Sequence, residues 1–516
     1  MMRQRCCAGR RGCEGWRGEE RMTFEQVETR LRDYSLEIKM EACAAYAKKF
    51  ITYDGIYRVD EFSDKIRPWD VDALATIATI KTENRCFKQT ITDKSMYEMF
   101  ECIKTHETKA IKALSAANAI YLLPVLQQQQ FPYKRCLFIL LYRCSWIFGK
   151  LNDKLRADET NDPYVISARE LSLQYHEIAM MGFVVHYAMF IGITPRELIY
   201  SMPKRFLRFV KHFLCDRKEF ISFQTKLTPK VEDSIFGVSA LYQYPFVEDN
   251  DSIFLPVPQL LNRAITASLL YRVAEYSSSI SQILGNIIEN YVYTILNESG
   301  IFDFVDPEIR YGKTEKRSAD ATGFVDGNIV LFECKKKAPK SAIRILDMTA
   351  IDEDVNITAC AVKQVFNQAK DLVKKRYSLS NPISEVSLNN IYCVVILRED
   401  NYLPMQVILN RVHELMDVPL CEEDDEFLSS HIRIFDLYQL ETLVFAKSDI
   451  IVELKNNEEE SGKLTDRLNK IYSMSAMPRI IEYATMLETE VYSDFELRAF
   501  METHKIADRM KDKLRI

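Results

Sequence analysis

The sequence predicts a multidomain protein with a mainly α-helical N-terminal region, an α/β domain whose mixed central sheet is flanked by helices, and a helical C-terminal tail. Long apolar patterns of helical period fill residues 22 to 235. Helix and strand patterns then alternate from about residue 271 to 455, as in sheets covered by helices. The polar stretch "KNNEEESGK" precedes a further helical pattern over 456 to 516. With 516 residues, of which 47% are hydrophobic, the chain can form two or more cores.

Residues 1 to 21 differ in composition from everything that follows. They hold six arginines, four glycines and three cysteines, and they lack the apolar run of an export signal. Three glutamates disfavour a mitochondrial presequence. We expect this leader to be disordered, and whether translation starts at Met1 or Met22 stays open.

The helical region over residues 22 to 235 contains one basic and aromatic segment, "MPKRFLRFVKHFLCDRKEF". Its phenylalanines at helical spacing predict a stripe that faces the core, with a solvated basic face opposite. Alternatively the basic helix contacts nucleic acid. The chain has no GxxxxGK[ST] phosphate loop, which argues against an NTPase motor. Residues 236 to 270 are predicted to connect this region to the α/β domain.

The first element of the α/β domain is an amphipathic helix over "SSSISQILGNIIENYVYTILNESG", residues 277 to 300. Its apolar residues recur every three or four positions, serines precede it and Gly300 ends it. Glu289 stands beside the apolar stripe, and Gly285, one turn earlier, leaves room for another element. Alone, Glu289 is also consistent with an ordinary exposed helix glutamate.

A strand near "FVDPEIRYG" and then a β-hairpin over "SADATGFVDGNIVLFECKKK" follow this helix. Asp326-Gly327 favours a two-residue type I′ turn, because both central positions need positive φ. The register from that turn places Asp320 directly opposite Glu333, on one face of the sheet. Lys335, two residues beyond Glu333, points to the same face.

The second strand of this hairpin is apolar on both faces, which predicts that it is buried on both sides. Two facing carboxylates repel each other there, and burial increases the cost. A bound cation would remove that cost. The alternative is a pair at the wet end of the hairpin, each carboxylate near a lysine, with no function.

The remaining elements complete a mixed sheet. A helix is predicted around "NITACAVKQVFNQAKDLVKKR", followed by the apolar strand "IYCVVIL" and the short segment "HIRIFDL". Helix, three strands, helix and strand in this order give a sheet with helices on its faces.

These residues resemble the PD-(D/E)XK superfamily of nucleases, which includes restriction-endonuclease-like and Holliday-junction-resolvase-like enzymes. The family signature is an acidic helix residue, an aspartate that begins one hairpin strand, and Glu-x-Lys at the end of the next. Here these positions look like Glu289 in "GNIIENYV", Asp320 in "SADA" and Glu333 and Lys335 in "FECK". The resemblance covers about a third of the chain. Ala319 stands where many members have a proline.

The resemblance implies a metal-dependent nuclease. Mg²⁺, for which Mn²⁺ can substitute, would be held by Asp320, Glu333 and the backbone carbonyl of Cys334, with Glu289 reaching it directly or through water. Lys335 would orient the attacking water. The Cys334 side chain is expected to point into the core.

Gln364, on the helix after the hairpin, sits where many relatives carry a polar auxiliary residue; an exposed glutamine without a role is the alternative.

Local charge favours a polyanionic partner. Residues 310 to 344 hold nine Lys and Arg against four acids, while the whole chain has a net charge of −6. Candidate phosphate contacts within this basic island are Arg317, Lys336, Lys337 and Lys340. Such clusters are also often only solvated surface.

The remaining composition limits the other classes of function. No apolar run approaches the length that spans a bilayer, and the 13 cysteines form no CxxC pair or His/Cys cluster. We therefore expect a cytoplasmic protein with no structural zinc.

The predicted partner is nucleic acid, and DNA is the first expectation. A homodimer for double-strand cutting and a protein partner on the helical region or the tail are both left open. Defence against foreign DNA is an analogy with bacterial proteins of this build. The alternative function is a nuclease fold that no longer cleaves and serves as a nucleic-acid- or protein-binding module.

Overall fold

The computed structural model describes residues 22–57, 66–83, 88, 90–148, 173–274, 278–336, 339–381, 383, 385–399, 401–416, 418–456 and 461–514. The leader and Lys337 lie outside the described residues, so the expectations for them remain predictions. The protein is mostly helical, with one five-stranded mixed sheet among helices in its C-terminal half.

The region before residue 235 is mainly helical, as predicted. Its helices are α1 (Phe24–Leu31), α2 (Leu36–Ala47), α3 (Pro68–Ile80), α4 (Asp93–Thr105), α5 (Lys109–Lys112), α6 (Leu122–Gln130), α7 (Leu137–Phe148), α8 (Tyr175–Ile191), α9 (Pro195–Ser201), α10 (Lys204–His212) and α11 (Arg217–Leu227). Hydroxyl side chains begin many of them; Thr23, for example, accepts a hydrogen bond from the Gln26 N–H in a capping box.

A small sheet that the sequence patterns did not predict links this region to the next. Strand β1 (Leu214–Asp216) pairs in parallel with β2 (Phe246–Asp249), which forms a hairpin with β3 (Ser252–Phe254). Residues 236 to 270 are therefore partly strand, and they tie back to the end of α10.

The predicted α/β elements all form. The helices here are α12 (Gln259–Ala264), α13 (Ala267–Ala274), α14 (Ser278–Asn297), α15 (Met348–Val373), α16 (Met405–Leu415), α17 (Glu422–Ser430) and α18 (Leu437–Phe445). The strands are β4 (Phe304–Pro307), β5 (Arg310–Tyr311), β6 (Lys316–Arg317), β7 (Ala321–Val325), β8 (Asn328–Lys335), β9 (Ile391–Leu397) and β10 (Ile432–Asp436).

The main sheet has the strand order β10-β9-β8-β7-β4. Strands β8, β9 and β10 are parallel, whereas β7 is antiparallel to β8 and β4 to β7. Lys335, Leu397 and Asp436 are register partners in a row across the three parallel strands. The carboxyl ends of these strands thus share one edge of the sheet, where open α/β sheets commonly bind ligands.

Strand β8 is buried on both faces, as the sequence predicted. Ile329 and Leu331 belong to the core under α15, while Val330, Phe332 and Cys334 belong to the core under α14. Because successive side chains of a strand alternate, a continuous apolar run serves both cores at once.

Helix α19 (Ile450–Lys455) ends the α/β region, and the tail forms α20 (Ser461–Ile471), α21 (Pro478–Ser493), α22 (Phe495–Thr503) and α23 (Ile506–Leu514). Its apolar residues, among them Ile480, Leu487 and Ile506, belong to the same core as α7, α8 and α14. The tail therefore packs back onto the helical region.

The N-terminal region also contacts the carboxyl edge of the main sheet through polar groups. Arg135 lies 2.7 Å from Asp436 at the end of β10, and the Gln128 amide donates to the carbonyl of Asn401, shortly after β9. No helix in the described ranges is both long and apolar enough to cross a membrane.

Candidate active site

The hairpin of β7 and β8 has the predicted register. Asp326 and Gly327 form the turn with φ values of 50° and 75°, which suits a type I′ turn. Ala321 faces Phe332, so Asp320 lies one residue beyond the last pair, beside Glu333. A turn of two residues therefore fixes which acidic groups meet some five residues away.

Asp320 is held by the main chain of β8. Its Oδ2 accepts a hydrogen bond of 2.7 Å from the Cys334 N–H. The N–H and C=O of a strand residue point to the same side of the strand. The Cys334 carbonyl is therefore also directed toward Asp320, the residue that precedes the first residue of β7. The thiol of Cys334 is buried in the opposite core, as predicted.

Glu333 is almost completely buried, with 3% of its surface exposed. Lys335 Nζ lies 2.8 Å from Oε1, and the amide of Gln368 donates to Oε2 at 3.1 Å. Both carboxylate oxygens are thus positioned by neighbours that can donate hydrogen bonds, which suits an ionised group in a buried place.

Lys335 joins the strand to α15. Its Nζ lies 2.9 Å from Oε1 of Gln364, in addition to its contact with Glu333. Gln368, one helical turn after Gln364, lies on the same face of α15 because residues four apart are neighbours. Gln368 was not among the residues predicted from the sequence, although its i,i+4 relation to Gln364 is a usable signal.

Glu289 reaches the site from α14 through Lys336. The Lys336 ammonium lies 3.4 Å from Glu289 and 2.9 Å from the Asn286 side-chain oxygen. A Cβ on Gly285 would lie 2.0 Å from Cδ of Lys336, so any other residue at this position would displace the lysine stem. The predicted close approach at Gly285 is confirmed, and the approaching group is a side chain.

The carboxylates influence one another electrostatically. Burial first, and then the negative charge of Glu333, raise the pKa of Asp320 from 3.8 to about 8. Glu289 raises this pKa further, while the Cys334 N–H and Lys335 oppose the shift. Without a cation, the fold therefore favours a protonated Asp320.

This shift predicts that Asp320→Asn stabilises the metal-free protein in alkaline solution. Because the folded-state pKa is raised, the cost of ionising Asp320 is absent below pH 3.8, grows between pH 3.8 and about 8, and is complete above. We expect the variant to exceed the wild type by on the order of 2 kcal/mol at pH 8.5, and the gap to narrow toward pH 4. Thermal unfolding in EDTA measures it. A variant of equal or lower stability at pH 8.5 would contradict the assigned charge repulsion.

The donor set suits a hard divalent cation. Asp320, Glu333 and the Cys334 carbonyl supply oxygen only, which is what Mg²⁺ prefers while it keeps several waters. Next to Glu333, the Oε1 atom of Gln368 is buried and has no hydrogen-bond partner within the described part of the chain, while its amide nitrogen donates to Glu333. The described residues contain no group of three or more His, Cys, Asp or Glu that could hold a metal, so an ion here would depend on two carboxylates and neutral oxygens.

The predicted phosphate contacts are mostly engaged elsewhere. Arg317 lies 3.2 Å from Glu308, Lys340 pairs with Glu353, and Lys336 pairs with Glu289. Arg344 is buried and donates to the Phe236 carbonyl and the Tyr242 hydroxyl. Much of the basic island is therefore neutralised by carboxylates that lie outside residues 310 to 344.

Comparison with known proteins gives no relative. No family model, no curated protein and no solved structure matches this chain.

Proposed function

We propose that the protein is a metal-dependent nuclease of the PD-(D/E)XK type that hydrolyses phosphodiester bonds, with DNA as its substrate. The main support is one observation: Asp320 and the buried Glu333 lie together at the carboxyl edge of a mixed sheet, with the Lys335 ammonium 2.8 Å from Glu333. Repelling carboxylates in a buried place are costly unless a cation joins them.

Asp320, Glu333 and the Cys334 carbonyl are the groups that would hold Mg²⁺ or Mn²⁺. A bound divalent cation supplies an acidified water and stabilises charge on the phosphate. Gln368 and Lys335 hold Glu333 in a fixed orientation. Glu289 holds Lys336 at the rim and adds negative charge to the site.

Lys335 has the position of a group that acts on the reacting phosphate. Its Nζ contacts Glu333 and Gln364, and about a fifth of its side chain is exposed at the strand end. An ammonium there orients a water beside Glu333 and offsets the negative charge that develops in the transition state. Gln364 limits the positions that this ammonium can take.

The test is cleavage of plasmid, linear duplex DNA, single-stranded DNA and RNA by the purified full-length protein. We expect cleavage with Mg²⁺ or Mn²⁺, none in EDTA, and none with Asp320→Ala. RNA cleavage alone would change the substrate class. Binding without cleavage under every metal condition would overturn the nuclease proposal and favour the binding module.

A further inference from the structure

Several cations around the hairpin of β7 and β8 have carboxylate partners. Arg310 lies 3.0 Å from Glu315, and Lys316 and Arg376 both pair with Asp371. Together with the pairs of Arg317 and Lys340, these contacts compensate much of the positive charge around the hairpin. This part of the island therefore attracts a polyanion less than its sequence suggests.

The positive charges of α10, unlike those around the hairpin, are mostly without carboxylate partners among the described residues. Phe206 and Phe209 are fully buried, which confirms the predicted core-facing stripe. Lys204, Arg208 and Lys211 are all exposed on the other side of the helix. None of these three has a carboxylate partner among the residues that the structure describes, whereas Arg205, directed toward the tail, pairs with Asp494. We call Lys204, Arg208 and Lys211 the α10 stripe.

Direct contacts link the α10 stripe to the carboxyl edge of the main sheet, where Asp320 and Glu333 lie. Arg272 on α13 donates to the carbonyl of His212, the last residue of α10. The adjacent Tyr271 donates to Glu399, and the Arg398 guanidinium lies 4.3 Å from the Tyr271 ring centre. Leu397, which precedes Arg398, is the register partner of Lys335.

Two arginines, Arg272 and Arg398, lie on this path between the α10 stripe and the carboxyl edge of the main sheet. Arg272 and Arg398 are both partly buried with some surface exposed, and neither forms an ion pair of 4 Å or less with a described carboxylate. Burial disfavours a charged Glu399, but Arg263, Arg135, the Tyr271 hydroxyl and Arg398 outweigh it and lower the pKa of this carboxyl. Among the described residues of this path, Glu399 is thus shared by several arginines.

We propose that the α10 stripe is a DNA-binding surface that holds the phosphodiester backbone of the strand cut at Asp320 and Glu333, with Arg272 and Arg398 between them. This inference rests on the proposed function and assigns substrate binding to the helical region. From Lys204 to Lys211 the helix rises about 10 Å, enough for contacts with two successive phosphates. Contacts of this kind position the backbone and carry no sequence information.

The experiment measures binding of a fluorescein-labelled 30-nucleotide single-stranded DNA, and of its duplex, to full-length Asp320→Ala protein at several salt concentrations. Into this background we place Lys204→Ala/Arg208→Ala/Lys211→Ala. The matched control is Arg310→Ala/Lys316→Ala/Arg376→Ala, which removes three cations that are likewise exposed but are paired with carboxylates. Thermal unfolding of each variant reports the fold.

We expect the α10 variant to bind about tenfold more weakly near 100 mM salt, with the slope of log K against log salt smaller by about 2 for the single strand. The control should stay within about twofold of its parent. An α10 variant that binds like its parent, a control that loses as much, or a parent that binds neither DNA overturns the inference. Cleavage by the wild type in Mg²⁺, measured in parallel, tests the nuclease proposal separately, because a cutting enzyme with unchanged α10 binding contradicts only the inference.

Discussion

Lys335→Ala is expected to lower single-turnover DNA cleavage by about 10³-fold, because it removes the positive charge that we propose offsets negative charge in the transition state. The Nζ atom of Lys335 is fixed by two acceptors, Glu333 Oε1 and Gln364 Oε1, so no neighbouring group can easily replace it. Quenched-flow or gel-based cleavage with saturating Mg²⁺ measures the loss.

The control for this prediction is Lys374→Ala, which removes an exposed lysine from the end of α15 and leaves the site unchanged. Its cleavage rate should stay within about twofold of the wild type. If Lys335→Ala retains more than a tenth of the wild-type rate, Lys335 does not act in the transition state as proposed.

Glu441→Ala is expected to destabilise the protein by about 3–5 kcal/mol, because it leaves Arg143 buried without its counter-ion. The two side chains are 3% and 0% exposed and form a bidentate pair, and the Tyr291 hydroxyl donates to the same carboxylate at 2.7 Å. These residues join α7, α18 and α14, which is the helix that bears Glu289. Urea unfolding followed by circular dichroism measures the loss.

A double substitution distinguishes the effect of the Arg143–Glu441 ion pair on stability from the effect of side-chain packing. Arg143→Met/Glu441→Leu removes both charges and keeps apolar volume, and we expect it to recover most of the stability that Glu441→Ala loses. A double variant as unstable as the single one would show that the charges are not the cause.

The hairpin that carries Asp320 and Glu333 could be predicted from the sequence because its determinants are local. Asp326-Gly327 specifies the turn, and the period of two then determines that Asp320 and Glu333 meet. Glu289 and Gly285 followed in the same way from the helical period of α14.

Features that depend on distant partners could not be predicted. Strand β1 has three residues and pairs with β2, some thirty residues later, so local propensity gives no signal for it. The basic island looked unpaired because Asp371, the partner of Lys316, lies on α15. The α10 stripe had an ambiguous sequence, and its distinguishing property, the lack of carboxylate partners among the described residues, exists only in the folded chain.

The most direct test of the central claim is calorimetric titration of Mn²⁺ into the metal-free wild type and into Glu333→Gln. Because ligation requires ionised carboxylates, and the pKa of Asp320 is raised to about 8 without metal, we predict binding to the wild type that tightens as pH rises toward 8. We predict that Glu333→Gln loses this binding. Equal Mn²⁺ binding by both proteins, or by neither, would contradict the assignment of Asp320 and Glu333 as a metal site.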